Sequence, residues 1–194
     1  MNLANVTWTG PRIDDAEMLN SVPPDLQVLL KKHNGFISSH GAFHVRGACK
    51  DPSWHSLRSA WNGVHSFSSL YSAVQSTDIP FAQDQVGDQY LIRNRKIIRL
   101  DAETGDIFKF SSSLDEFFNG IDLNIEDYLN VNLLKKLEPG QLLHAYPPFC
   151  VGEANKGVSL KPCSAESVIL FHAEFAKQIK DIPDGGKIII KLTE

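Results

Sequence analysis

The chain has 194 residues, 42% of them apolar, and a formal net charge of −4. That is enough apolar material for one substantial core, so the chain is expected to form a single domain over residues 1–194, and the balance is too acidic for a general nucleic-acid binder, which needs a basic surface to displace counterions from phosphates. No apolar run approaches the roughly 20 residues that span a bilayer, and residues 1–6 carry neither the basic nor the apolar part of a signal peptide; the expectation is a soluble, cytoplasmic protein with no membrane partner.

In chain order, the first clear element is Val22-Pro23-Pro24-Asp25-Leu26-Gln27-Val28-Leu29-Leu30-Lys31-Lys32-His33-Asn34-Gly35. Proline opens a helix, Leu26, Leu29, Leu30 and His33 share one face, and asparagine and glycine accept the left-handed conformation that ends it. Residues 42–47 alternate like a strand, and 53–63 suggest a helical turn or two. Next come Ile79-Pro80-Phe81-Ala82 and the Gly87-Asp88 turn. Residues 89–93 and 96–100 then pair as a β-hairpin across a two-residue Asn94-Arg95 turn. A loop over 101–106 leads to a third strand at 107–110, and connections this short make an antiparallel meander. Ser113 and Glu116 have capping-box spacing before Leu114, Phe117, Phe118 and Ile121, which predicts a helix lying on the sheet. A further helix from Ile125 to about Leu134, a strand over 141–146, a helix capped by Ser164 and running to about Lys180, and a closing strand over 187–192 complete the reading. Nothing in the chain looks like a linker or an internal repeat.

Cys49, Cys150 and Cys163 are an odd number at wide spacing without a CxxC pair, so reduced, partly buried thiols are expected. His33, His40, His44, His55 and His65 crowd the first third with Cys49 and Asp51. HExxH is absent, however, and His40 falls in a turn, so the spacing predicts neither a metal site nor another cofactor. GxxxxGK[ST], GxGxxG and GxSxG are missing too, which leaves phosphate-loop and serine-hydrolase chemistry without support and predicts no catalytic residues. The cations Arg93, Arg95, Lys96 and Arg99 read as a solvated edge that discourages sheet-to-sheet association. Trp54 and Trp61 offer a stacking or partner-binding surface, with core packing as the competing use of the same rings.

Charge is unevenly spread. Between Asp101 and Asp127 stand eight carboxylates, Asp101, Glu103, Asp106, Asp115, Glu116, Asp122, Glu126 and Asp127, against the single cation Lys109. This stretch is the best candidate for an acidic face that meets a basic partner. Asp101, Glu103, Asp106, Asp115 and Glu116 are its partner-binding candidates, together with the two tryptophans.

The order of Val22-Pro23-Pro24 through His33-Asn34-Gly35-Phe36, Ile79-Pro80-Phe81-Ala82, Gly87-Asp88-Gln89-Tyr90-Leu91 and Leu114-Asp115-Glu116-Phe117-Phe118 resembles the SUKH superfamily, specifically its bacterial Smi/Knr-type members related to fungal cell-wall assembly regulators. The resemblance covers about residues 20–121. The run from Leu142-Leu143-His144-Ala145-Tyr146 onward is similar to the C-terminal extension of one bacterial subgroup. This likeness implies an α+β fold, a twisted antiparallel sheet flanked by helices, here with a strand-helix-strand extension over 122–194 packed on it. It also implies a non-catalytic domain that binds and neutralises a cognate toxin, often a nuclease or deaminase, encoded beside it. A regulatory scaffold is the alternative, and a histidine-dependent enzyme a third reading.

Overall fold

The computed structural model describes residues 5–129, 136–183 and 185–187. Its fold is α+β. Seven strands, β1 (Val6–Thr9), β2 (Phe36–Ser38), β3 (Phe43–Val45), β4 (Ile79–Asp84), β5 (Gln89–Arg93), β6 (Lys96–Leu100) and β7 (Ile107–Ser111), lie side by side in chain order, each antiparallel to the next. Short connections enforce that order. The tightest is Asn94-Arg95, where both residues hold left-handed φ values of 52° and 63° and Arg93 pairs directly with Lys96. A two-residue loop of this kind matches the twist of the strands it joins.

Helices cover both faces. On one side α1 (Ala16–Ser21), α2 (Pro24–Lys32) and α5 (Leu114–Leu129) bring Met18, Leu26, Leu30, Phe117 and Phe118 onto Phe43, Phe81, Tyr90 and Ile92. On the other, α3 (Leu57–Asn62), α4 (Phe67–Leu70) and α6 (Ala165–Ile179) bring Ala60, Phe67, Ala173 and Ala176 onto Leu91, Ile98 and Leu100. The period-2 alternation of a strand divides Tyr90 and Ile92 from Leu91 in this way. Phe117 is the hub of the first layer, with ring centroids 5.2 Å from Tyr90, 5.4 Å from Phe81 and 5.8 Å from Phe43. Asp15 links the layers at one end: it caps α1 through Met18 N (3.1 Å) and accepts from Arg58 on α3 at 2.8 Å, and that guanidinium holds its acid down at about 2.

A sheet covered on both sides leaves its polar side chains no route to water, so they must satisfy one another. Arg46, just beyond β3, is buried. It donates through Nη1 to Pro80 O (2.9 Å) and through Nη2 to Gln83 Oε1 (2.5 Å) and Gln89 Oε1 (2.7 Å), tying β3 to β4 and β5. The Gly87-Asp88 turn behaves as its residues predict. Gly87 sits at φ 100°, and Asp84 Oδ1 accepts from the N–H groups of Val86, Gly87 and Asp88 at 3.0–3.1 Å.

The α2 helix, the meander, the start of α5 and the Ser164-capped α6 form where the sequence places them. Several expectations need correction. The sheet begins at Val6, well before residue 20, because β1 pairs with β2. The two helices expected around 114–134 follow one another within α5: Asn124 breaks the helical dihedrals (φ −161°) and its Oδ1 caps the second segment through Glu126 N and Asp127 N. The part of the expected second helix beyond Leu129, and the closing strand expected over 187–192 apart from Lys187, lie outside the described residues. The extension has one strand the sequence reading missed: among the described residues β8 (Gln141–Tyr146) pairs with β9 (Ser159–Ser164) before α6. The β5–β6 hairpin is interior rather than an edge, since β7 covers it; Arg93 forms a bidentate pair with buried Asp78, and only Arg95 and Lys96 stand out at the tip.

Phe117→Ala should cost about 4 kcal/mol, the scale expected for emptying a fully buried aromatic site. Urea unfolding at neutral pH checks this, and a loss under about 1 kcal/mol would show that the first layer is not organised around this ring.

Candidate functional site

The structure divides the acidic stretch into inward and outward carboxylates. Glu103 was expected on the partner-facing surface and is instead buried, 7% exposed. Its two oxygens accept from the backbone N–H groups of Phe149 (3.0 Å) and Cys150 (2.9 Å), which fastens the extension to the meander. Asp101 is half-buried and caps its own loop through Glu103 N and Thr104 N at 3.1 and 2.9 Å. Asp106 is exposed at the mouth of the same loop.

The outward carboxylates belong to α5. Asp115, Glu116, Asp122, Glu126 and Asp127 are all exposed there, and α5 carries no basic residue. Leu114, Phe117 and Phe118 turn inward, which sends 115, 116, 119, 122 and 123 to the solvent side of the first segment. Leu123 is 87% exposed among these acids. Glu116 has a second use: its Oε2 accepts from Ser112 N (2.8 Å), Ser112 Oγ and Ser111 Oγ while Ser113 Oγ accepts from Glu116 N (3.1 Å), which completes the capping box and lowers the acid of Glu116.

The tryptophans do not share a surface. Trp61 packs against the first layer and donates to Ser76 O at 2.8 Å. Trp54 lies before α3, in a ring cluster with Trp8 (5.1 Å) and His44 (5.3 Å). Each indole fills a different contact, so the seven-residue spacing carries no joint meaning.

Of the five N-terminal histidines only His44 and His55 meet, and the described residues hold no group of three metal-binding side chains. His55 Nε2 lies 2.9 Å from Asn34 O and its Nδ1 lies 2.8 Å from His44 Nε2. A carbonyl only accepts, so Nε2 of His55 carries its proton, Nδ1 is the acceptor, and His44 Nε2–H donates to it. Gly10, Gly35 and Gly47 crowd this imidazole so closely that a Cβ on any of them would collide with it. The Asn34-Gly35 pair therefore does more than end α2: it builds the seat for His55, while Asn34 Oδ1 takes Ala48 N at 2.7 Å. Burial lowers the pKa of His55 to about 4 and that of His44 well below its usual range. Both rings are neutral, and both nitrogens of His55 are taken up in hydrogen bonds. The Cys49 thiol is buried and pushed up to about 12, whereas Cys150 is exposed, against the expectation of a partly buried thiol there.

Two features carried no sequence signal. His172 on α6 is 2% exposed and neither ring nitrogen has a hydrogen-bond partner among the described residues; burial, then His144, lower its pKa to about 4. A helical pattern counts such a histidine only as an ambiguous position. Arg46 is the other, because an arginine after an alternating Phe43-His44-Val45 run reads as the exposed end of a strand.

Comparison with family models, with curated proteins and with solved structures found no match to this chain.

Glu103→Ala should cost about 2 kcal/mol by orphaning two backbone donors, and should raise amide exchange at Phe149 and Cys150; Asp106→Ala should stay within about 0.5 kcal/mol. Hydrogen exchange with urea unfolding separates the two, and equal effects would refute the clamp. The histidines also set a pH dependence. In the unfolded chain His172 titrates near 6.5 and in the folded chain near 4, so its contribution is intact above pH 6.5 and drains away as pH falls toward 4. Asp88, raised to about 6 mainly by burial, works in the opposite sense over the acid range, so a variant must isolate the histidine. Between pH 7 and pH 4 the stability of His172→Leu relative to the unsubstituted chain should improve by about 3 kcal/mol. A gap constant with pH would mean that His172 has the same pKa in the folded protein as in the unfolded chain.

Proposed function

We propose that this chain is a non-catalytic protein-binding domain of the SUKH kind, acting in the cytoplasm as an immunity protein that neutralises a cognate bacterial toxin of nuclease or deaminase type by stoichiometric binding. The observation that carries this reading is the outer side of α5, which carries five exposed carboxylates and a leucine that is 87% exposed. Folding alone accounts for part of the charge, since Asp115 and Glu116 occupy the first turn of one helical segment and Glu126 and Asp127 the first turn of the next, where the helix dipole favours anions. It does not account for the exposure of Leu123. An exposed apolar residue on a helix rich in carboxylates suits a basic protein surface: charge steers the encounter and an apolar contact slows dissociation. A nuclease must present such a surface to its own substrate.

The closed His44–His55 pair favours the non-catalytic reading over a histidine-dependent enzyme. A regulatory scaffold would use the same face on a housekeeping partner, and gene neighbourhood distinguishes the two.

Co-expression with the product of the adjacent gene, followed by pull-down and titration of that product's toxicity, tests the proposal. A tight complex with rescue near equal stoichiometry is expected. Asp115→Lys with Glu126→Lys should slow association about tenfold at low salt, an effect that shrinks as salt rises, and Leu123→Ala should mainly speed dissociation. Absence of both complex and rescue would overturn the immunity reading for that partner. A complex indifferent to all three substitutions would move the interface off α5.

A further inference from the structure

The second face of the sheet holds a cavity of about 230 Å³ between α3, α4 and the start of α6. Arg46, Ser53, Trp54, Ser59, Phe67 and Ile169 are among the residues that line it. We propose that this cavity binds a small organic carboxylate with an apolar or aromatic body, its charge set against Arg46 and its body between the two aromatic rings.

The argument starts from the cation. Arg46 is 2% exposed, yet the acceptors of its hydrogen bonds, Pro80 O, Gln83 Oε1 and Gln89 Oε1, are all neutral. The remaining face of the guanidinium lies over the Phe67 ring at 5.2 Å. Among the described residues no carboxylate stands within ion-pair distance of it, in contrast to Arg58 and Arg93, which find Asp15 and Asp78. Buried cations are ordinarily paired, because neutral dipoles recover only part of the lost hydration. Burial alone pulls this guanidinium down to about 9. Two of its five N–H groups, Nε–H and the second Nη1 hydrogen, remain without an acceptor among the described residues.

The cavity meets that cation with the lining a small anion needs. Trp54 and Phe67 supply apolar walls, Ser53 and Ser59 supply hydroxyls, and Ile169 with Leu170 closes the far side. The volume suits a compact molecule of one ring or a short chain rather than a nucleotide. His65 and Glu166 are exposed members of the lining; their Nδ1 and Oε1 stand 3.9 Å apart and their side chains are 53% and 71% exposed. Glu166 is the one carboxylate of the lining, and it opposes an incoming anion. This gives an exposed position at which the proposal can be tested without disturbing the core. The site is distinct from the α5 face and stands whether or not that face binds a toxin.

The test is an NMR titration of the full chain at neutral pH with benzoate, phenylacetate and hexanoate, each beside its neutral amide. At least one acid should saturate with Kd below about 1 mM and bind about tenfold more tightly than its amide, shifting the resonances of Ser53, the Trp54 indole, Ser59 and Ile169. Glu166→Gln should tighten the acid a few-fold and leave the amide unchanged. Arg46→Gln should make acid and amide equal; should that variant not fold, Glu166→Gln still decides. The proposal is overturned if none of the three acids reaches that affinity, if amides bind as well as acids, if the shifts gather instead at Arg95 and Lys96, or if Glu166→Gln changes nothing.

Discussion

The rest of this molecule depends on one constraint: a seven-stranded antiparallel sheet whose middle strands are enclosed on both faces. Antiparallel sheets commonly leave one face to water, and their polar residues go there. Here that outlet is closed, so the polar side chains of β3, β4 and β5 form internal structures of their own. The Arg46–Gln83–Gln89 set, the Asp84 loop and the His44–His55 pair are three solutions to the same problem. Each joins neighbouring strands or seats a loop, and each rewards one registration of the chain over its alternatives, because slippage by one residue would leave these groups buried and unmatched.

The same constraint decides what could be read in advance. Elements that follow from local chemistry were legible: the Pro24 start of α2, the Asn94-Arg95 hairpin, the Gly87-Asp88 turn, the Ser113 and Ser164 caps. Burial on both faces hid others. β4 is buried along its whole length, so its residues do not alternate, and β9 carries Pro162 and too little apolar pattern to announce a strand. β1 is short and exists because β2, beginning at Phe36, offers it a partner distant in the chain, a relation that periodicity cannot express. The helix expected from Ile125 was legible, yet the cap that Asn124 supplies to it was not.

For the candidate site, composition singled out a region without resolving which of its members face solvent. Eight carboxylates in 27 residues marked 101–127, but a tally of charge cannot tell Glu103, which turns inward to two backbone amides, from Asp115, which faces solvent. Direction follows from the helical pattern: the apolar positions of α5 face the sheet and fix where its acids go. Trp54 and Trp61 show the converse, two equally plausible aromatics claimed by separate apolar clusters. Arg46 and His172 were invisible because their significance lies in what surrounds them, not in their type or spacing.

The division of helices between the faces has a vectorial side. All of α1, α2 and α5 precede residue 130, whereas α6, which completes the second layer over Leu91, Ile98 and Leu100, begins at Ala165. A ribosome working from the N-terminus thus delivers every helix of the first layer and the whole seven-stranded sheet before it has made the last cover of the second. During that interval the nascent chain shows a patch of leucine and isoleucine to its surroundings. The stretch 101–127, with its seven surplus negative charges, has already emerged by then. Mutual repulsion between nascent chains is what such a charge provides, and it keeps them apart until α6 arrives.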